Sequence, residues 1–186
     1  MPFHASSFNI LLGKLWVHKR GKTPPNRLEQ LPLFKLEPKN DIHGELSFAV
    51  QGRIVPFMGF VQSDDSPRDG VCFPEWISHL KKLVNTLLRK NQVSFSFKEN
   101  DAMDGPFFEF VRETDKVFFS LSRPLGNSCF KAEPGWEMEE FKFHDLLLQF
   151  FKFKDDFLRE IQKANYSLRD EWEAKFAKKK PESPQE

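Results

Sequence analysis

The residues best equipped for chemistry are two cysteines, Cys72 and Cys129, and five histidines at positions 4, 18, 43, 79 and 144. A thiol attacks only as thiolate, which needs a base or a positive potential beside it. His79 and His144 fall on the two strongest helical patterns, from which either ring can be brought toward a cysteine, but no spacing demands it. Free cysteine is among the most buried residue types, so the plainer expectation is two small core thiols and solvent-facing histidines. His144 and Asp145 are adjacent, and neighbours on a helix point about 100° apart, so they do not face each other as an acid–base pair.

Stronger motifs are absent. The chain has no glycine-rich phosphate loop, no HExxH, no paired CxxC and no GxSxG elbow. A calcium loop starting at Asp65 would put its bidentate ligand at Trp76, which cannot serve. No metal or cofactor is therefore expected. Carboxylates do cluster: Asp64, Asp65 and Asp69 in one polar stretch, Glu99, Asp101 and Asp104 in another, and Glu137, Glu139 and Glu140 in a third. Loops at the rim of a sheet commonly carry binding residues, and grouped carboxylates steer a basic partner. The ordinary alternative is solubility.

The whole chain is nearly neutral, +1 over 186 residues, but unevenly so. Residues 1–40 carry seven basic and two acidic side chains, residues 41–140 eleven and sixteen. The basic cluster Lys14, Lys19, Arg20 and Lys22, interleaved with Trp16, suits phosphates, yet the acidic hundred residues that follow would repel a polyanion. Nucleic acid is not the expected partner. No apolar run approaches the ~20 residues of a membrane span, and Lys14 interrupts the one N-terminal apolar stretch, so neither membrane insertion nor a signal peptide is expected. Two cysteines make no disulfide framework, and the expected location is cytoplasmic. Phenylalanine is abundant, 22 against one tyrosine, which implies a thick core with few hydroxyls to satisfy.

The elements that would position these groups follow from periodicity. Phe8–His18 is an apolar strand; Lys19–Pro38, with four prolines, reads as loop or irregular edge. Gly44–Val50 alternates, and a Gln51-Gly52 turn would set Phe48 opposite Val55 and Leu46 opposite Phe57. Pro74–Lys90 is an amphipathic helix opened by Pro74 and Glu75. A meander follows: 93–98, then Phe107–Glu113 and Lys116–Arg123 joined through Thr114-Asp115. That register faces Phe110 with Phe119 and Phe108 with Leu121. On the reverse face it sets Val111 against Phe118, Glu109 against Ser120 and Phe107 against Ser122. This second face is too apolar for plain solvent surface and calls for a cover. After a short strand or turn at Cys129–Glu133, a long helix is expected from Phe141 to Lys163. A weaker, charged helix should run from Leu168 to Lys179. Strands and helices do not alternate, so the class is α+β, an antiparallel meander sheet with one helix between hairpin and meander and a long C-terminal helix packed on it. The domain would span 1–165, with 166–186 a helical then disordered tail.

The run VSFSFKEN, GPFFEFVRE and KVFFSLSRP, with Trp136 and then FKFHDLLLQFF, resembles small bacterial immunity-type proteins of polymorphic toxin systems over about residues 44–162. The resemblance is one of architecture. It implies a non-enzymatic inhibitor that plugs a toxin effector, although such proteins are acidic where this chain is near neutral. The expected contact residues are Phe107, Glu109 and Phe118, with Asp101, Asp104, Asp64, Asp65 and Asp69 orienting the partner. Two alternatives belong to other classes. One is a small-molecule site or thiol enzyme between the sheet and the Phe-rich helix, with Cys72 or Cys129 and His144. The other is an adaptor that docks through 168–179.

Overall fold

Along the third strand of the chain every second side chain is apolar, and this alternation divides the molecule into an inside and an outside. In a computed structural model, which describes residues 7–20, 28–56, 58, 70–98, 105–126 and 129–177, the chain opens with β1 (Phe8–Arg20), β2 (Leu28–Pro32), β3 (Asp41–Val50), β4 (Arg53–Ile54) and β5 (Val71–Cys72). There follow α1 (Phe73–Arg89), β6 (Gln92–Lys98), β7 (Phe107–Glu113), β8 (Lys116–Gly126), β9 (Cys129–Ala132), β10 (Glu139–Lys142), α2 (Phe143–Ala164) and α3 (Arg169–Phe176). The class is α+β, with two antiparallel sheets. In the first, β3 pairs with β1 on one edge, while β4 and β5 share its other edge; β2 lies outside β1. In the second, β8 pairs with β7 on one edge and with β9 and β10 on the other; β6 lies outside β7.

The turns hold as their residues require. Gln51 and Gly52 both take positive φ, 51° and 76°, as a two-residue hairpin demands. Val55 N–H reaches Phe48 C=O at 2.8 Å, setting those residues opposite each other; Phe57 lies outside the described residues. Every expected β7–β8 pair is present, from Phe107 with Ser122 to Val111 with Phe118.

Two segments differ from expectation, each because a tertiary demand overrides local pattern. Phe141 and Lys142, expected to start the long helix, are instead the end of β10, because the free edge of β8 pairs with that segment. The proline-rich stretch, expected as loop or irregular edge, contains the edge strand β2, which ends at Pro32. The helix expected in a charged tail packs into the core. Leu168, Trp172 and Phe176 are buried, and Trp172 meets Phe157 at 5.5 Å between centroids. Three apolar residues within a charged segment make too weak a stripe to be read alone.

One cluster of buried side chains runs through both sheets and all three helices. Its junction is Phe48, whose ring lies 5.3 Å from Phe8, 5.5 Å from Trp76, and 6.4 and 6.3 Å from Phe108 and Phe110. The α1 face carrying Trp76, Leu80, Leu83 and Leu87 is buried, and Arg112 Nη1 donates to Leu87 C=O at 2.5 Å, holding a carbonyl of its last turn. Asp145, in the first turn of α2, accepts from Ser7 N–H at 2.8 Å and Ser7 Oγ at 2.6 Å, tying β1 to α2. No helix of the described residues is long and apolar enough to cross a membrane.

Replacing Trp172 with Ala should lower unfolding free energy by about 3–5 kcal/mol, as for other buried aromatics. Urea denaturation measures this. A helix lying free of the core would lose less than about 0.5 kcal/mol.

Candidate protein-binding face

Strand pairing arranges the outer face of the second sheet in rows. Ser94, Val111, Phe118 and Glu140 form one row, Ser96, Glu109 and Ser120 the next, and Lys98, Phe107, Ser122 and Ala132 a third. Phe107, Glu109, Val111 and Phe118 are each half-buried on this surface. The opposite face, with Phe97, Phe108, Phe110, Phe119 and Leu121, is buried in the core. Period-two alternation thus divides one phenylalanine-rich meander into a core side and an outward aromatic side.

Phe107, Glu109 and Phe118 therefore share one surface as expected. Asp64, Asp65, Asp69, Asp101 and Asp104 lie outside the described residues. Sequence reasoning overlooked Phe130 and Met138. Phe130 lies 5.5 Å from Phe107 between centroids, with Lys98 Nζ 4.6 Å from its ring, and is 37% exposed. Met138 is exposed, and its N–H donates to Ser120 Oγ at 3.0 Å. The signal for Phe130 was present in its short strand; its pairing to Pro124 puts it on this face.

The charges sort themselves. Lys116 meets Glu140 at 2.8 Å, and hydrogen bonding to that carboxylate, reinforced by its charge, raises the lysine above its ordinary value. Glu139 pairs with Arg53 at 2.5 Å, whose guanidinium also lies 4.6 Å from the Trp136 ring and donates to Gly135 C=O at 2.9 Å. Two carboxylates of the third acidic cluster are thus held by cations of this chain. Glu109 differs: among the described residues it forms no ion pair, and it sits in the polar row between two aromatic ones.

The thiol alternative finds different neighbours. Cys72 lies across from His43 in the β3–β5 ladder, at the N-terminus of α1. The His43 ring stacks on His18 at 3.8 Å, and the Trp16 indole N–H donates to His18 Nε2 at 3.2 Å. Burial raises the Cys72 thiol above its ordinary value. The charges of Asp41 and Glu75 push the same way, and the hydrogen bond from the Glu75 backbone opposes them only partly. His144 instead lines a cleft of about 340 Å³ with Arg112 and Phe143, and Cys72 is not part of it. Among the described residues no group of three or more His, Cys, Asp or Glu is placed to hold a metal ion. Comparison with protein-family models, curated proteins and solved structures finds no match.

In a Cys129→Ser background, Cys72 should react with iodoacetamide more slowly than a free thiol, with a rate that rises only above the ordinary thiol range near pH 8.5. The same raised value makes its contribution to stability complete below the unfolded pKa and lost as pH rises through the folded one. A rate already saturated at neutral pH would mark an activated thiolate.

Proposed function

We propose that this chain is a non-enzymatic binding protein that neutralises a partner protein by laying the outer face of its second sheet over the partner's active site. The observation that carries the reading is Glu109, a half-buried carboxylate with no ion pair among the described residues, set between Phe107, Val111 and Phe118. A carboxylate in such surroundings is stabilised when a partner brings an Arg or Lys to it while its apolar groups cover the rings. Aromatic anchors around one charge are the usual make-up of the centre of a protein interface. Asp101 and Asp104 would add on-rate through steering.

The immunity-type resemblance names the class of partner: a toxin effector, inhibited by occlusion in the cytoplasm. A raised, protonated Cys72 thiol and an aromatic surface speak for binding rather than turnover.

The test is affinity purification from native cells with the chain as bait, followed by co-expression with any stoichiometric protein retained. A partner toxic alone and harmless with this chain supports the proposal. Glu109→Lys should weaken that complex about a hundred-fold or more, the usual consequence of removing a buried interfacial charge. Asp170→Lys, on an exposed position of α3, should leave it unchanged. Asp101→Lys with Asp104→Lys should slow association and reduce its salt dependence. Equal affinity of Glu109→Lys and the parent would remove this face from the interface.

A further inference from the structure

On the first sheet, β1 and β3 fall out of step between two matched pairs, Leu12 with Leu46 and Leu15 with Gly44. Gly13 and Lys14 together oppose the single residue Glu45, a β-bulge. The bulge presses backbone against the Glu45 side chain. A Cβ on Gly13 would sit 2.7 Å from Glu45 Cβ, and Lys14 N–H donates to Glu45 Oε2 at 3.0 Å. Across β3, among the described residues, the edge pairs with β4 at residues 49–50 and with β5 at 43–44 and leaves a gap between. Between them Met58 Sδ accepts from Phe48 N–H at 3.1 Å.

The bulge and this gap bound a cleft of about 330 Å³, within the range of small-molecule sites. Its walls combine apolar side chains, Leu11, Leu46, Trp16, Met58 and Val71, with nearly as much polar surface. Gly70 lines it with φ +66°, and a Cβ there would lie 2.6 Å from the Trp16 ring and 2.5 Å from Gly44 C=O. Only glycine lets the backbone come so close to the indole. Among the described residues Glu45 is the one charged side chain that lines the cleft, and Ser47 adds a hydroxyl. One carboxylate in a cleft with apolar side chains selects for charge: an ammonium gains the carboxylate, whereas an anion meets repulsion.

We infer that this cleft binds a small primary amine with an apolar or aromatic body, the ammonium directed at Glu45. The site is independent of the aromatic face on the second sheet and stands whether or not that face binds a protein.

Phenethylamine is the probe and 3-phenylpropionate its counterpart of opposite charge. Both are titrated into the full-length ¹⁵N-labelled chain, following the Trp16 indole N–H, assigned with Trp16→Phe. Phenethylamine should shift that signal saturably with a dissociation constant on the order of 1 mM, reasonable for a ligand of this size. The propionate should not. Glu45→Gln keeps an acceptor for Lys14 N–H and should weaken the amine about three-fold, the loss of one solvent-exposed ion pair. Leu11→Lys, at a wall residue that is 42% exposed, leaves the Glu45–Lys14 bond in place and should weaken it similarly. The inference is overturned by equal binding of amine and propionate, by unchanged affinity in both variants, or by no saturable shift at concentrations on the order of 10 mM.

Discussion

Phe48 is the ring through which two sheets share an interior. It projects from the middle of β3, meets Phe8 from the neighbouring strand, Trp76 from α1, and Phe108 and Phe110 from the far sheet. Edge-on and tilted ring contacts of this kind add about 0.5–1.5 kcal/mol each beyond burial, and they fix relative orientation as well. Were β3 to slip by one residue, Phe48 would turn to the outer face and Ser47 or Ala49 would enter the junction. The register of the first sheet and the docking of the second are thus one constraint. The Gln51-Gly52 turn, which only residues tolerant of positive φ can make, holds that register at one end.

Each sheet solves its edge in the same way. The central strands β3 and β8 are flanked on one side by a full strand and on the other by two short ones laid end to end. Among the described residues this arrangement pairs most of each long strand and leaves local interruptions, one of which is beside Glu45. It also explains how the sheets are fastened near the surface. The tip of the β3–β4 hairpin reaches across to the second sheet, where Gln51 Nε2 donates to Glu140 C=O at 2.6 Å and Arg53 engages Glu139, Trp136 and Gly135.

The strand pairs of the meander and both faces of it were legible in the sequence because alternation is local and the Thr114-Asp115 turn sets the register. So was the grouping of Phe107, Glu109 and Phe118, which depends on nothing but that register. What was not legible depended on partners distant in the chain. Glu139 and Glu140 read as free carboxylates until Arg53 and Lys116 are placed beside them. Phe141 and Lys142 read as the start of the long helix, and only the open edge of β8 makes them part of a strand. Trp172 and Phe176 look isolated among charges, and their burial depends on Phe150, Phe153 and Phe157 presenting a surface for them. The cleft beside Glu45 arises from a bulge of one residue, which no periodicity announces.

The near absence of tyrosine has a thermal consequence. The one tyrosine, Tyr166, is 75% exposed, so the interior is built from phenylalanine, tryptophan and aliphatic groups with no phenolic hydroxyl among them. Unfolding such an interior exposes mainly apolar area, which raises heat capacity, whereas exposed polar area lowers it. The stability of this molecule should therefore be sharply curved with temperature, its interior losing cohesion on cooling as well as on heating, because the drive to bury apolar area weakens as water cools.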